Sequence, residues 1–587
     1  MKQKILETWR KTDDITLRYP MVLVMAFIAA CSVVTVIEMD SHLNHFPLVK
    51  LIITGCLGIS LMFGIKMLSQ RIGKGFILEL AGTLFLIGLY FYLPDQERDF
   101  TEVYAFLLIP LFIMSHLFVS FASYLNNSAE LKFWQFNKNL FINIFLTAVF
   151  TGVLVLGVIL AILAVDNLFD LKLDEMLYPK TAGFLGIFAS AFIFLLFDNS
   201  GLPELENTND YPQILKFFTQ FILIPLLIIY LVILYFYSGK ILINWELPRG
   251  WVSYLILAYS VVGILALLLV HPLKSQDSKS WVKLFSKIFY YTLIPLLVLL
   301  FVAINTRILE YGYTEPRYFV LLIALWLATV VVYFILFKKA TIKFIPVSLF
   351  LFGVIALALP YFNAFAVAKR SQKNELMQIL SDNSLLENGK INFSKKISSE
   401  TADEIANKFD YLYQRKENDF IFGLLNTAQK EKIEKSTARY NRYIGTEINS
   451  YFTNTTQSDP INYSEIFTEN TIVDVSDYEF VSQLTALQPE AVTLGNDRFR
   501  IINLPFEQEY FFVINDDQKY DLLPFFKSVF EVRRARQNFV PAEDLSHEFD
   551  LGNYHIRIFL NTLNKDQYHE DRYHFNEGLV LIRRKNQ

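Results

Sequence analysis

The sequence predicts a polytopic α-helical membrane protein of about 11 transmembrane helices carrying a C-terminal soluble α+β domain. Three observations predict it. Of 587 residues, 53% are hydrophobic and the mean hydropathy is +0.35. The excess comes as unbroken apolar runs of about 20 residues, the length a helix needs to cross a bilayer. Those runs stop near residue 368, and the charge changes sign there: Lys+Arg minus Asp+Glu is 26 − 23 = +3 over residues 1–368 and 27 − 34 = −7 over 369–587. From Thr471 onward, apolar and polar residues alternate as they do in half-buried strands.

The first element is a basic segment, 1–18, predicted cytoplasmic. The run that follows, 19–37, is too long for a signal-peptide core and lacks a small-x-small cleavage site, so it reads as an uncleaved span. Further spans are read at 46–68, 76–93, 104–124, 140–165, 182–198, 217–237, 251–271, 284–304, 317–337 and 344–366. All must be helices, because an open strand would leave backbone polar groups unpaired in lipid. The weakest is 182–198, which is short and rich in small residues. With the N-terminus inside, the inner segments hold 18 Lys+Arg and the outer ones eight, so the positive-inside rule places residues 369–587 outside the cytoplasmic membrane. The one anomaly is the acidic inner loop 199–216, tolerable because carboxylates carry little topogenic weight.

The domain partition that follows is 1–18, a membrane domain 19–368, a helical extracytoplasmic part 369–460 and a β-rich part 461–587. Helices are expected over 372–455, with Ser398 or Ser399 as an N-cap and Ile405, Phe409 and Leu412 on one face. Strands are expected at 471–485, 499–504, 509–514, 554–560 and 578–584, interrupted by one helix at 522–535.

Few residues carry recognisable chemistry. An ionisable group deep in a span is a default functional candidate, and only His116 qualifies, expected to bond a neighbouring helix. No mid-span Asp or Glu marks an ion-coupled transporter. No P-loop, dinucleotide fingerprint or nucleophile elbow occurs, so ATP-driven transport by this chain alone is not expected. The charge balance gives no reason to expect nucleic acid. Cys31 and Cys56 both lie in apolar runs and read as small hydrophobes. The His–Tyr pairs at 554–555, 568–569 and 573–574 lack converging ligands, so neither a metal nor a cofactor is expected. Polar residues collect at the outer rim instead: Glu38 and Asp40, Asp95 to Arg98, Glu246 and Arg249, and the loop from Arg307 to Phe319. Arginine forks suit carboxylates and phosphates, which makes Arg249, Arg307 and Arg317, with Glu246 and Glu310, candidate ligand contacts. Glu38 and Asp40 are the weaker catalytic candidates, as base or metal ligand on a lipid-linked substrate.

The loop "RILEYGYTEPRYF" can be read in detail. Gly312 permits the turn; Pro316 opens the next helix, with Thr314 or Glu315 as cap; Arg307 and Glu310 are spaced to pair. Arg317 sits in a first helical turn, where the dipole disfavours a cation, so it is expected to contact a carboxylate of this chain or of a ligand.

The runs "FWQFNKNLFINIFLTAVFTGVLVLGVILAILAVDNLF", "FILIPLLIIYLVILYFYSGKILINWELPRGWVS", "TLIPLLVLLFVAINTRILEYGYTEPRYF" and "FIPVSLFLFGVIALALP" resemble, in order, the bacterial membrane family named "domain of unknown function 4153" over about residues 15–375. The resemblance implies a multi-span bacterial membrane protein and no assigned activity. The expectation is therefore an inner-membrane protein of the cell envelope, in contact with the bilayer, binding an envelope lipid, glycan or protein partner at its outer face. The alternatives are an enzyme on a lipid-linked substrate, a lipid or solute transporter, and a structural or sensory scaffold.

Overall fold

A computed structural model describes residues 12–39, 43–125, 129–197, 201–206, 213–244, 251–271, 280–437, 444–452, 455–456, 465–468, 475–485, 492–495, 497–504, 509–531, 539–565, 572–575 and 577–585. The chain forms two compact units. One holds Met1–Ile397 and Thr401–Asn454; the other holds Ser398–Glu400 and Thr455–Gln587.

Among the described residues of the first unit, ten helices are long and apolar enough to cross a membrane: α1 (Pro20–Glu38), α2 (Phe46–Ile72), α3 (Gly75–Tyr92), α4 (Val103–Tyr124), α5 (Glu130–Phe169), α6 (Leu177–Leu196), α7 (Phe218–Asn244), α8 (Val252–Leu269), α9 (Trp281–Tyr311) and α10 (Glu315–Leu336). They bury two clusters. One gathers α1 to α5 around Leu57, Met67, Tyr124 and Phe136; the other gathers α7 to α10 around Ile256, Phe289, Leu300 and Leu327. At Gly55 a Cβ would lie 2.9 Å from the Ala29 Cβ, so α1 and α2 approach through small residues. Helix α5 extends ten residues before its predicted start, because Phe133, Trp134 and Phe136 find buried sites. At about 1.5 Å per residue its 40 residues exceed the thickness of a bilayer core. The weak sixth segment becomes a 20-residue helix with a π turn at Leu185–Ala189.

The eleventh predicted span, 344–366, is shorter than expected but still joins the two ends of the helical region: Lys343 before it bonds the Tyr124 carbonyl, and the Phe362 carbonyl after it accepts the Tyr318 hydroxyl at 2.6 Å. Helix α11 (Phe344–Ala358) has only 15 residues, roughly 22 Å at the helical rise. Pro360 and a left-handed Tyr361 (φ 64°) break the chain, and Asn363 caps a new helix, α12 (Ala364–Asp382), by accepting from the Ala366 N–H at 2.8 Å. Tyr361 and Phe362 are exposed in this turn, as interfacial aromatics are.

After α12 come a hairpin, β1 (Leu386–Glu387) and β2 (Lys390–Ile391), then α13 (Ser399–Gln414), α14 (Asn418–Gly423), α15 (Thr427–Thr437) and α16 (Gly445–Ser450). In α13, Ala402, Ile405, Phe409 and Leu412 recur at helical spacing and are buried with Leu376 and Leu380 of α12.

In the second unit the strands are β3 (Glu465–Thr468), β4 (Phe480–Thr485), β5 (Val492–Leu494), β6 (Asp497–Leu504), β7 (Glu509–Ile514), β8 (Gln518–Asp521), β9 (Phe539–Val540), β10 (Ser546–Leu551), β11 (Tyr554–Leu560), β12 (Thr562–Lys565), β13 (Tyr573–His574) and β14 (Glu577–Arg584), with one helix, α17 (Leu523–Glu531). These strands form three four-stranded sheets, β8-β7-β6-β5, β10-β11-β14-β4 and β9-β3-β12-β13, antiparallel except for the β9–β3 pair, and Ile397–Ser398 pairs with Thr455–Thr456 in a further two-stranded sheet. Strand β10 was not legible: "SHEFDL" offers only Phe549 and Leu551 as apolar residues, yet it pairs residue for residue with β11 from Ser546↔Phe559 to Leu551↔Tyr554.

Candidate site at the rim where α9 ends and α10 begins

Glu315 is the first residue of α10; Thr314 precedes it as cap residue with extended backbone and no side-chain bond, and Pro316 follows in the first turn. The Glu315 side chain is 0% exposed, and it meets Arg415, 2% exposed, at the end of α13. The pair is bidentate: Arg415 donates Nε to Oε1 at 2.8 Å and Nη2 to Oε2 at 2.7 Å. Tyr411, one turn earlier on α13, donates its hydroxyl to Oε2 at 2.7 Å, and the Arg415 guanidinium lies 3.4 Å from its ring centroid. The first helical turn favours a buried anion, and the planar fork suits it. Burial pushes the Tyr411 hydroxyl well above the usual phenol range, with the Glu315 charge adding to it. Burial alone would lower the Arg415 pKa, but Glu315 outweighs it and the guanidinium is held more firmly protonated than usual. Glu102, exposed, lies 3.8 Å from Arg415.

A second set of donors gathers on the last carbonyl of α9. The Tyr311 oxygen accepts from Arg317 Nη1 at 3.1 Å, Gln372 Nε2 at 3.1 Å and Lys408 Nζ at 3.4 Å. Gln372 also donates to the Tyr313 carbonyl at 2.9 Å and accepts from Lys408 at 2.8 Å. Cations at a helix C-terminus offset its dipole. Burial lowers the Lys408 pKa.

A cleft of about 290 Å³ opens beside Arg415, walled by Tyr92, Tyr104 and Phe365 and lined by Lys369, Lys416 and Asp99. Lys369 and Lys373 both pair with Glu417, the former at 2.7 Å. Burial opposes ionisation of Glu417, but the two lysines outweigh it and hold its carboxyl below the usual range.

The opposite rim carries a similar knot. Glu206 accepts the Tyr124 hydroxyl at 2.7 Å, pairs with Arg71 and lies 3.5 Å from Lys132. Glu130 accepts from the Ile342 N–H at 3.0 Å, and Lys343 donates to the Tyr124 carbonyl at 2.9 Å. These contacts tie together the segments around 71, 124–132, 206 and 342, and they give Glu206, one carboxylate of the acidic segment 199–216, its partners.

The pattern of the family described as "Domain of unknown function (DUF4153)" matches residues 22–388, more than half of the chain. The chain belongs to that family. A protein of Pasteurella multocida (strain Pm70), described as uncharacterized, is 24% identical over 584 aligned residues, 92% of this chain and 95% of that protein. No solved structure matches.

The DUF4153 region contains Glu315 and Arg317 but ends before Arg415, so the buried pair joins the family region to a segment beyond it. Of the residues singled out from sequence, Arg317, expected to meet a carboxylate of this chain or of a ligand, bonds the Tyr311 and Gly312 carbonyls at 3.1 and 2.8 Å. Arg307 and Glu310 are exposed, and the Arg307 guanidinium lies 5.9 Å from the Tyr311 ring centroid. Glu38 is exposed and lies 3.8 Å from Lys180. Asp40, Glu246 and Arg249 fall outside the described residues. His116 is exposed and bonds the Phe112 carbonyl of its own helix at 2.8 Å, where a neighbouring helix had been expected. The structure brings together Glu315, Tyr411 and Arg415, which sequence reasoning missed. The available signal was the carboxylate beside Pro316 and the two polar residues four apart, Tyr411 and Arg415, on a face of α13 away from its apolar stripe.

Proposed function

We propose that the protein is an integral protein of the bacterial cytoplasmic membrane, N-terminus inside and residues 369–587 outside, that binds an envelope component at its outer rim. The Lys/Arg asymmetry supports the orientation. It is also supported by contacts that group loops of like assignment: Asp95 with Asn44 and Lys50 at one rim, and Glu206 with Arg71 and Lys132 at the other. The observation that carries the binding reading is the cleft beside Arg415. Three segments remote in sequence build it, the buried Glu315–Arg415 pair fixes its floor, and the lysine ammonium groups and tyrosines at its wall converge where helices end. Small pockets with a few convergent polar groups are the usual form of a ligand site. An enzyme on a lipid-linked substrate is the second reading. It is less favoured because Glu38 is exposed and near Lys180.

Reporter fusions after Lys373 and Gln587 test the orientation: cytoplasmic reporter activity at either position overturns it. A benzophenone side chain installed at Tyr104 tests the binding. An adduct formed in living cells is expected; its absence overturns the outer-rim reading.

A further inference from the structure

We propose that the cleft beside Arg415 seats the phosphate of an anionic membrane lipid, selected by the ammonium of Lys416. This rests on the outer-rim reading above and names its ligand.

Lys416 is the reason. It terminates α13 in the left-handed conformation, φ 59°. Its N–H bonds the Tyr413 carbonyl at 2.9 Å and the next N–H, of Glu417, bonds the Leu412 carbonyl at 3.1 Å. That pair of bonds is a helix ending whose left-handed position glycine fills at least cost. A lysine there carries backbone strain that a glycine would relieve, and strain kept at a cleft points to use of the side chain.

The charges single out the same residue. Arg415 has Glu315 and Lys369 has Glu417. Among the described residues no ion pair engages Lys416, which is exposed. Asp99 is the one carboxylate on the cleft wall, against Lys369, Arg415 and Lys416.

Depth argues for a lipid source. Tyr92 ends α3, Tyr104 is in the first turn of α4 and Phe365 in the first turn of α12. Tyrosines at helix ends favour headgroup level, and the exposed Tyr361 precedes α12. About 290 Å³ suits a phosphate and its polar substituent, not an acyl chain. The chains would run down the exposed apolar face of α3, where Leu84, Ile87 and Phe91 meet the bilayer.

The test is lipid retention by the full chain, read by native mass spectrometry after release from nanodiscs of phosphatidylglycerol mixed with phosphatidylcholine. Wild type is expected to keep phosphatidylglycerol preferentially. Lys416→Gly is expected to weaken that preference about fivefold, the effect of one cation near an anionic headgroup, with a melting temperature equal to or above wild type. Lys416→Arg should retain the preference. A merely structural role for Lys416 would leave retention unchanged in Lys416→Gly, and that result overturns the proposal. Displacement of the lipid by millimolar glycerol 3-phosphate would assign the site to a soluble phosphate and overturn the lipid source. The Tyr104 crosslink separates the two levels of inference. An adduct without any headgroup preference overturns this proposal and leaves the outer-rim reading standing; no adduct and no preference overturn both.

Discussion

Two carboxylates at opposite rims are each held by a tyrosine and an arginine. Glu315 and Glu206 each accept a tyrosine hydroxyl at 2.7 Å and each pair with an arginine that lies over that tyrosine's ring, at 3.4 Å from the Tyr411 centroid and 5.3 Å from the Tyr124 centroid. Their settings differ. Glu315 is 0% exposed in the first turn of a long helix, and among the described residues Arg415 is its one ion-pair partner; Glu206 is 11% exposed after a four-residue helix and meets both Arg71 and Lys132. A sealed pair has no solvent to fall back on when one member is lost. A rim network has both water and a second cation. Similar chemistry should therefore give unequal energetics.

The largest effect is expected from Glu315→Ala, which strands a buried guanidinium and should cost about 3–5 kcal/mol, read as thermal unfolding of the detergent-extracted protein. The double variant Glu315→Leu, Arg415→Met should recover most of that loss, since a buried pair replaced by apolar groups is often neutral. A single variant as stable as wild type would dissolve the distinction between the rims. Glu206→Gln keeps the shape and should cost less, about 2 kcal/mol. Burial opposes ionisation of Glu206, but Tyr124, Arg71 and Lys132 outweigh it and hold its carboxyl below the usual range. The folded value lies below the unfolded one, so its contribution is complete above the ordinary glutamate value of about 4.3 and is lost as the pH falls through the folded value. Melting temperatures of wild type and Glu206→Gln should converge as the pH falls through that lowered folded value; a constant gap would show that the charge is not what matters. Gly312→Ala comes third, at about 1–2 kcal/mol. Its φ is 73°, and a Cβ would lie 2.8 Å from Glu375 Cγ and 2.9 Å from Ser371 Oγ.

Most of the long apolar helices were legible because hydropathy marks them. What escaped was set by tertiary contact. The break at Pro360 is hidden in an apolar run, and only Asn363, a good cap, marks the new start. Arg415 lies 100 residues from Glu315, and nothing local in either segment names the other. Glu315 was read as a cap because its place in the turn is local information. Its burial depends on where α13 packs, which is not.

Arg317 is the sharpest remaining contrast with its neighbour Glu315, and the smallest predicted effect. Sequence reasoning asked for an anion to offset a cation in the first turn of α10. The structure answers with the preceding helix: Arg317 reaches back to the Tyr311 and Gly312 carbonyls, where the end of α9 supplies the negative potential. The cost of its own helix's dipole is met by another helix's dipole. Arg317→Met keeps the length of the stem and removes two carbonyl bonds, so it should cost about 0.5–1 kcal/mol. That loss should change little between low and high salt, because partial charges on bonded carbonyls are met at contact distance. A loss of about 2–3 kcal/mol that shrinks with added salt would mean that a full negative charge also sits on Arg317. That outcome would move the anion site from the cleft to the α9–α10 turn.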